Sequence, residues 1–259
     1  PAGTSSLLKS SILPGGTYTF NTNKRRDASV VHIHDSLYAV AYGGPSNHGY
    51  LQTFKASSDG KRVAKIAEIP FDTQQGLNNS MVKADDNTVV IAYSGSGGDG
   101  WIKTFDIGLD GKTISEIDKF KHDSRNGFRN SLIKVNQDTY VLAYAEGNGW
   151  DDGYISSFTI PPTGLGIRRA MASRMNAKLD YRSHQSIVRG EPGFFIHYGG
   201  SYDRWTGQGW GSQITTYSIN ESGETIQKIK RKEISTRQGG DQKHHSLLKM
   251  DEEDRKSVV

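Results

Sequence analysis

Asn130-Ser131-Leu-Ile-Lys-Val135, Tyr140-Val-Leu-Ala-Tyr144 and Tyr154-Ile-Ser-Ser-Phe-Thr-Ile160 are three short runs of apolar, β-branched and aromatic residues. A polar turn separates the first two, and a Gly/Asn/Asp-rich loop ending in Asp152-Gly153 separates the last two. This punctuation predicts three antiparallel strands. Fifty-one residues earlier the phrase recurs as Asn79-Ser80-Met-Val-Lys83, Val89-Val-Ile-Ala-Tyr93, Asp99-Gly100 and Trp101-Ile-Lys-Thr-Phe105. One period before that it reads Ala28-Ser29-Val-Val-His32, Tyr38-Ala-Val-Ala-Tyr42, His48-Gly49 and Tyr50-Leu-Gln-Thr-Phe54.

The serines opening each first strand are Ser29, Ser80, Ser131, Ser186 and Ser246, spaced by 51, 51, 55 and 60 residues. Each interval holds a fourth apolar run, such as Val63-Ala-Lys-Ile-Ala-Glu-Ile69 or Ile114-Ser-Glu-Ile-Asp-Lys-Phe120. Four strands per period of this length predict an all-β fold, a β-propeller of four-stranded antiparallel blades, as one domain over 1–259. A β-sandwich would explain the strands but not the fixed period. Alternating small and large residues in Tyr140–Tyr144 suit packing against a blade on either side. Thr17–Phe20 fits the fourth-strand slot of a further blade and Ser6–Ser10 its third strand. Ser246–Met250 reads as a first strand and Ser257–Val259 as the start of a second. Either the termini complete a composite fifth blade, or the chain is part of a larger ring, of seven blades for instance.

Glycine is abundant, at 30 residues, as tight turns require, and cysteine is absent, which excludes disulfides and thiolate metal sites. The formal charge of +4 reads as spread along the chain. No Lys/Arg run resembles a nucleic-acid tail and no apolar run approaches a membrane span, so neither partner is expected. With Pro1 at its start, any signal peptide is expected to have been removed. Asp59-Gly60 and Asp110-Gly111 read as turns between third and fourth strands. Asp151-Asp152 is the best of the acidic pairs as a cation site and lacks the alternating acidic spacing of a calcium loop.

In this fold the loops entering first strands and joining second to third strands share one face around the channel mouth, where sites are usually kept. The positions two before the anchoring serines are Asp27, Asn78, Arg129, His184 and His244; the next are Ala28, Asn79, Asn130, Gln185 and His245. The fourth copy departs most. In Phe194-Phe-Ile-His197-Tyr198 the histidine stands where the other copies have alanine. The loop that follows is longer and carries Tyr202, Arg204, Trp205 and Trp210, beside an entry loop with Tyr181 and Arg182. Aromatic faces stack on sugar rings and arginine pairs with carboxylate or sulfate, so an anionic carbohydrate is the expected partner, met by a monomer. No Ser-His-Asp spacing, nucleophile elbow or phosphate loop is present, and Asp180 and Asp203 are the only acids near the cluster. β-Elimination from a uronic acid suits the residues better. It needs a cation to neutralise the carboxylate, a base for the C5 proton and an acid for the leaving oxygen.

The blade phrase Ala-Tyr-x-Gly-x-x-x-x-Gly-[Tyr/Trp]-[Leu/Ile]-x-[Thr/Ser]-Phe resembles repeats of secreted microbial β-propeller proteins. The Tyr/His/Arg-rich channel mouth is similar to that of propeller polysaccharide lyases, the ulvan lyase families especially. That resemblance implies a secreted enzyme cleaving a uronate polysaccharide, sulfated in the ulvan case, by β-elimination. No cofactor is then required, and a structural divalent cation, Ca or Zn, is a further implication. By position in the blade, His184 or a rim tyrosine (Tyr202 or Tyr181) would be the base, Arg204 with Gln185 or Asn130 the neutraliser, and His244 a second acid or base. Arg129, His197, Tyr198, Trp205, Trp210 and His245 would line the substrate. A non-catalytic glycan- or protein-binding propeller and a sialidase-like hydrolase are the alternatives.

Overall fold

The computed structural model describes residues 26–125, 127–145, 152–178, 185–203 and 208–235. Sixteen described strands fall into four sheets. Blade one is β1 (Arg26–His34), β2 (Leu37–Gly43), β3 (Gly49–Ala56) and β4 (Val63–Asp72). Blade two is β5 (Leu77–Lys83), β6 (Thr88–Ser94), β7 (Gly100–Ile107) and β8 (Ile114–Asp123). Blade three is β9 (Phe128–Lys134), β10 (Thr139–Ala145), β11 (Asp152–Thr159) and β12 (Arg168–Lys178). Blade four is β13 (Gln185–Arg189), β14 (Phe194–Asp203), β15 (Gln208–Ile219) and β16 (Ile226–Ser235). Every sheet is ordered first to fourth strand, antiparallel throughout. First strands of successive blades pack on one another, whereas fourth strands scarcely meet. The sheets therefore radiate from a common axis, as blades of a β-propeller. Among the described residues no helix is long and apolar enough to cross a membrane.

The anchoring serines acquire a physical role here. The Met81 amide donates to Ser29 Oγ at 3.0 Å, Leu132 to Ser80 at 2.9 Å and Ile187 to Ser131 at 3.1 Å. An innermost strand has one edge in no sheet, and these hydroxyls satisfy an amide there that would otherwise lack a partner. A second tie runs farther out. Thr53 Oγ1 donates to Gly111 O at 2.6 Å, Thr104 Oγ1 to Gly164 O at 2.8 Å, and Ser157 Oγ to Gly223 O. Each glycine sits at positive φ in the turn before a fourth strand, and a Cβ on Gly111 would stand 2.6 Å from Leu37 Cδ1. The turn of one blade thus tucks under the third strand of the blade before it.

The core is a stack of three apolar layers, one between each pair of neighbouring blades. In the first, Ala39, Ala41 and Leu51 of blade one meet Val89, Ile91, Tyr93 and Phe105 of blade two. The second joins Val90, Ala92 and Ile102 to Tyr140, Leu142, Tyr144 and Phe158. The third joins Val141, Ala143 and Ile155 to Ile187 and Phe195. Small residues on one face receive large ones from the next, the alternation anticipated from Tyr140–Tyr144.

Blade four corrects one expectation. Ser29, Ser80 and Ser131 pair with Ala41, Ala92 and Ala143, but Ser186 pairs with Tyr198 and Ile187 with His197. Phe195 pairs with Tyr217 as Tyr38 does with Phe54. Counted by register, His197 occupies the slot of Val40, Ile91 and Leu142, and it is Tyr198 that takes the alanine slot. The segments 1–25 and 236–259, with the strands expected in them, lie outside the described residues.

Candidate functional site

Around the axis, the first residues of the innermost strands and the glycines just before them form a hydrogen-bonded belt. Asp27, Asn78 and Arg129 all adopt positive φ, at 55°, 52° and 56°, each at a break in first-strand register. Asn78 donates through its backbone N (2.9 Å) and Nδ2 (3.0 Å) to Asp27 Oδ2. The Arg129 amide donates to Asn78 Oδ1 at 3.2 Å. Asn130 Nδ2 donates to Gly127 O at 2.8 Å and to Asn78 O at 3.2 Å, and Asn79 Nδ2 to Gly76 O at 3.1 Å. These side chains hold the mouth in shape, with Asn130 engaged between two blades. By repeat position His184 and His244 continue the series, but both lie outside the described residues, as do Tyr181, Arg204, Trp205 and His245.

In blade four, His197 is 1% exposed and Gln185 7%. The imidazole Nε2 donates to Gln185 Oε1 at 2.5 Å. Burial pushes the histidine down to about 4, so the ring is neutral and locked inside the blade. Neither side chain is placed to line a substrate, contrary to the expectation for both, because the shifted register turns His197 toward blade three. Tyr198 is also largely buried. The long loop of this copy proves to be mostly strand. β14 and β15 continue past the level where β2 and β3 end, pairing Ser201 with Gly211, Tyr202 with Gly209 and Asp203 with Gln208. Tyr202 and Trp210 stand on this extended hairpin.

A cleft of about 590 Å³ opens on the same loop face, between blades one and two. Asp72, at the end of β4, forms its floor with Tyr93. The tyrosine hydroxyl donates to Asp72 Oδ2 at 2.9 Å, while Oδ1 accepts from the Gln74 and Gln75 amides at 2.8 and 3.0 Å. Burial, then the Asp72 carboxylate, raises the Tyr93 pKa, so the phenol stays protonated. Trp101 lines the wall, with the Lys121 ammonium 4.9 Å from its ring centroid and Lys121 paired to Asp99 at 2.6 Å. Lys103 Nζ donates to Phe71 O at 2.7 Å and to Glu116 at 2.9 Å.

Lys103 and Lys119 are direct cross-strand partners in β7 and β8. Like charges in that relation repel. Glu116 compensates Lys103, Lys121 compensates Asp99, and the Asp72 oxygens are hydrogen-bonded. Lys119 is exposed and has no carboxylate partner among the described residues, although the cleft as a whole is balanced, with Asp72, Asp99 and Glu116 against Lys103, Lys119 and Lys121. Among the described residues no group of three or more His, Asp or Glu is placed to hold a metal ion.

No family model matches this chain, and no curated protein sequence matches it. Solved structures do. A protein from Lactobacillus plantarum overlays with a TM-score of 0.52 at 9% identity, over 75% of this chain and 51% of that one. A variant of the NanB sialidase from Streptococcus pneumoniae overlays at 0.50 and 9% identity, over 71% of this chain and 28% of that one. A periplasmic gluconolactonase from Pseudomonas aeruginosa matches more loosely, at 0.40 and 8% identity, over 83% and 88%. This chain spans about half the length of the first structure. At such identities the likeness concerns the fold alone.

The cleft was absent from the sequence expectations. Its signal lay in comparing copies: Lys103 stands where the neighbouring blades have Gln52 and Ser156, and Trp101 where they have Tyr50 and Tyr154. No single copy contains the site, since Pro70, Phe71 and Asp72 come from one blade and Tyr93, Trp101, Lys103 and Lys119 from the next.

Proposed function

We propose that this propeller binds an anionic polysaccharide on its loop face, with the cleft between blades one and two as its described contact point. The observation that carries this reading is the exposed Lys119 ammonium, without a carboxylate partner among the described residues, in the cleft that Trp101 lines. Lys103 is already spent on Phe71 O and Glu116, so it is Lys119 that the acid group of a sugar stacked on the indole would pair with. The test is titration with polygalacturonate and with dextran sulfate. Trp101→Ala and Lys119→Glu are each expected to weaken binding about tenfold, corresponding to roughly 1.4 kcal/mol. Lys119 is exposed, so its variant should melt with the parent. Unchanged affinity in both variants defeats the reading.

A β-elimination lyase remains the finer version of the same reading, favoured by the extended β14–β15 hairpin that carries Tyr202 and Trp210. Tyr202 or His184 would be its base, Arg204 the carboxylate neutraliser and His244 a further proton carrier. Its signature is an unsaturated product. Incubation with uronate polysaccharides, with and without a divalent cation, is expected to raise ultraviolet absorbance, and Tyr202→Phe to abolish the rise while binding persists. Binding without any rise leaves the non-catalytic propeller.

A further inference from the structure

The chain's charge is not distributed as its sequence average suggests. β12 holds Arg168, Arg169, Arg174 and Lys178 with no carboxylate, and β16 holds Lys228, Lys230, Arg231 and Lys232 with Glu233 alone. These two strands carry eight cations and one carboxylate, a net +7; the whole chain is +4, so the remainder is −3. Arg169 packs over Phe120 and Phe158 between blades two and three, and the rest of the excess lies along the outer strands of blades three and four.

Outer strands are exposed sheet edges, and lysine there discourages edge-to-edge pairing. Blades one and two achieve that protection with both signs: Lys65 pairs with Glu68 at 2.9 Å and Lys103 with Glu116 at 2.9 Å. Edge protection therefore does not require a single sign. On β16 all four cations are exposed, and among the described residues only Arg231 meets a carboxylate, Glu233 at 3.7 Å. Register assigns their directions. Lys228 and Arg231 pair with Tyr217 and Thr215, and Tyr217 packs in the layer shared with blade three. Arg168 pairs with Thr159, on the same side of β11 as Ser157, whose hydroxyl reaches Gly223 of blade four. Arg168, Lys228 and Arg231 thus face one groove between the two outer edges. Lys230 and Lys232 pair with Thr216 and Ile214 and project from the opposite side of β16.

We infer that the outer edges of blades three and four form a second contact surface for a polyanionic polysaccharide, separate from the cleft. This rests on the anionic-glycan reading and extends it, because two sites on one molecule favour a long chain over a short oligosaccharide. Cations spaced along a strand at roughly 7 Å per two residues bind by displacing counterions, so affinity there depends steeply on salt.

The experiment compares parent, a Lys228→Glu/Lys230→Glu/Lys232→Glu variant and Trp101→Ala, using long dextran sulfate, a sulfated tetrasaccharide and single-stranded DNA at several salt concentrations. The triple variant is expected to lose at least tenfold affinity for the long polymer and to show a flatter salt dependence, with tetrasaccharide binding changed less than twofold. Trp101→Ala is expected to lose the tetrasaccharide. If the triple variant aggregates, the corresponding Lys→Gln variant keeps polar edges and answers the same question. Unchanged polymer affinity and salt dependence overturn the inference and leave the lysines as edge protection. DNA bound more tightly than dextran sulfate, and lost in the triple variant, overturns the assignment of a polysaccharide. If Trp101→Ala leaves every probe unaffected while the triple variant fails on polymer, the cleft reading falls and the outer surface stands.

Discussion

Lowering the pH from 6.5 to 4.5 is expected to remove roughly 5 kcal/mol of this protein's stability, through two buried imidazoles. His122 is 2% exposed in the layer between blades two and three, with neither ring nitrogen hydrogen-bonded among the described residues. Burial, and secondarily Arg169, pushes it down to about 3. His197 is held at about 4 by burial. Both folded values lie below the unfolded value near 6.5. Above that pH neither state binds the proton and their contribution to stability is complete. As pH falls below it the unfolded chain takes up protons that the folded chain refuses, so each histidine costs about 1.4 kcal/mol per pH unit. Two units and two residues give the figure above, a large part of the 5–15 kcal/mol typical of a domain.

The same argument predicts an improved variant. His122 lies 4.7 Å from Tyr144 at 68° and 6.3 Å from Phe158. One blade earlier Phe71 lies 4.9 Å from Tyr93 at 68° and 6.3 Å from Phe105. His122→Phe therefore fills a slot the fold already builds for phenylalanine and removes two unsatisfied nitrogens. A gain of about 1–3 kcal/mol at neutral pH is expected, with the acid loss roughly halved. Thermal melts at pH 7 and pH 5 decide it. A lower melting temperature at pH 7, or an unchanged loss between the two, would show that the ring is solvated in place.

How much of this was readable beforehand follows from where each signal resides. The blade period was legible because the serine anchor is a backbone-level requirement: Ser29, Ser80 and Ser131 each serve an amide of the next blade, so the repeat must keep them. The register of blade four was not legible. Ile196-His197-Tyr198 resembles Leu142-Ala143-Tyr144 in print, yet pairing is decided by Phe195 against Tyr217, across a hairpin longer than in the other copies. The burial of His122 was hidden for a related reason. Its own strand is polar, and what encloses it, Tyr144 and Phe158, belongs to the next blade. Asp27, Asn78, Asn79, Arg129 and Asn130 lie where the first strands begin, as expected, whereas His184 and His244 lie outside the described residues. Asn130 was legible as a polar mouth residue, but only coordinates show its amide spent on Gly127 and Asn78.

Gly127→Ala is expected to cost more than about 3 kcal/mol, whereas Gly97→Ala in the neighbouring loop should cost about 1. Gly127 has no unusual φ to protect. It is required by space, because a Cβ there would stand 2.2 Å from Gly100 Cα, 2.4 Å from Gly100 N and 2.8 Å from Asp99 C. All three are backbone atoms, which no rotamer change can move aside. The contact fastens the entry loop of blade three to the second–third strand loop of blade two, where the Gly127 amide donates to Gly98 O at 2.8 Å and Ser94 Oγ donates to Gly127 O. Gly76 repeats the arrangement against Gly49 at 2.3 Å, with its amide donating to Asn47 O at 2.8 Å, beside the Thr73–Gln74 wall of the cleft. Gly97, by contrast, has φ +74° and nothing within 4 Å of its Cβ position among the described residues, so alanine there bears only the left-handed strain. Chemical denaturation of the two variants measures the difference. Equal losses would mean that the loops can part without unfolding the blades. The loop face would then be a pliable surface rather than the rigid platform that the proposed contact at Trp101 and Lys119 requires.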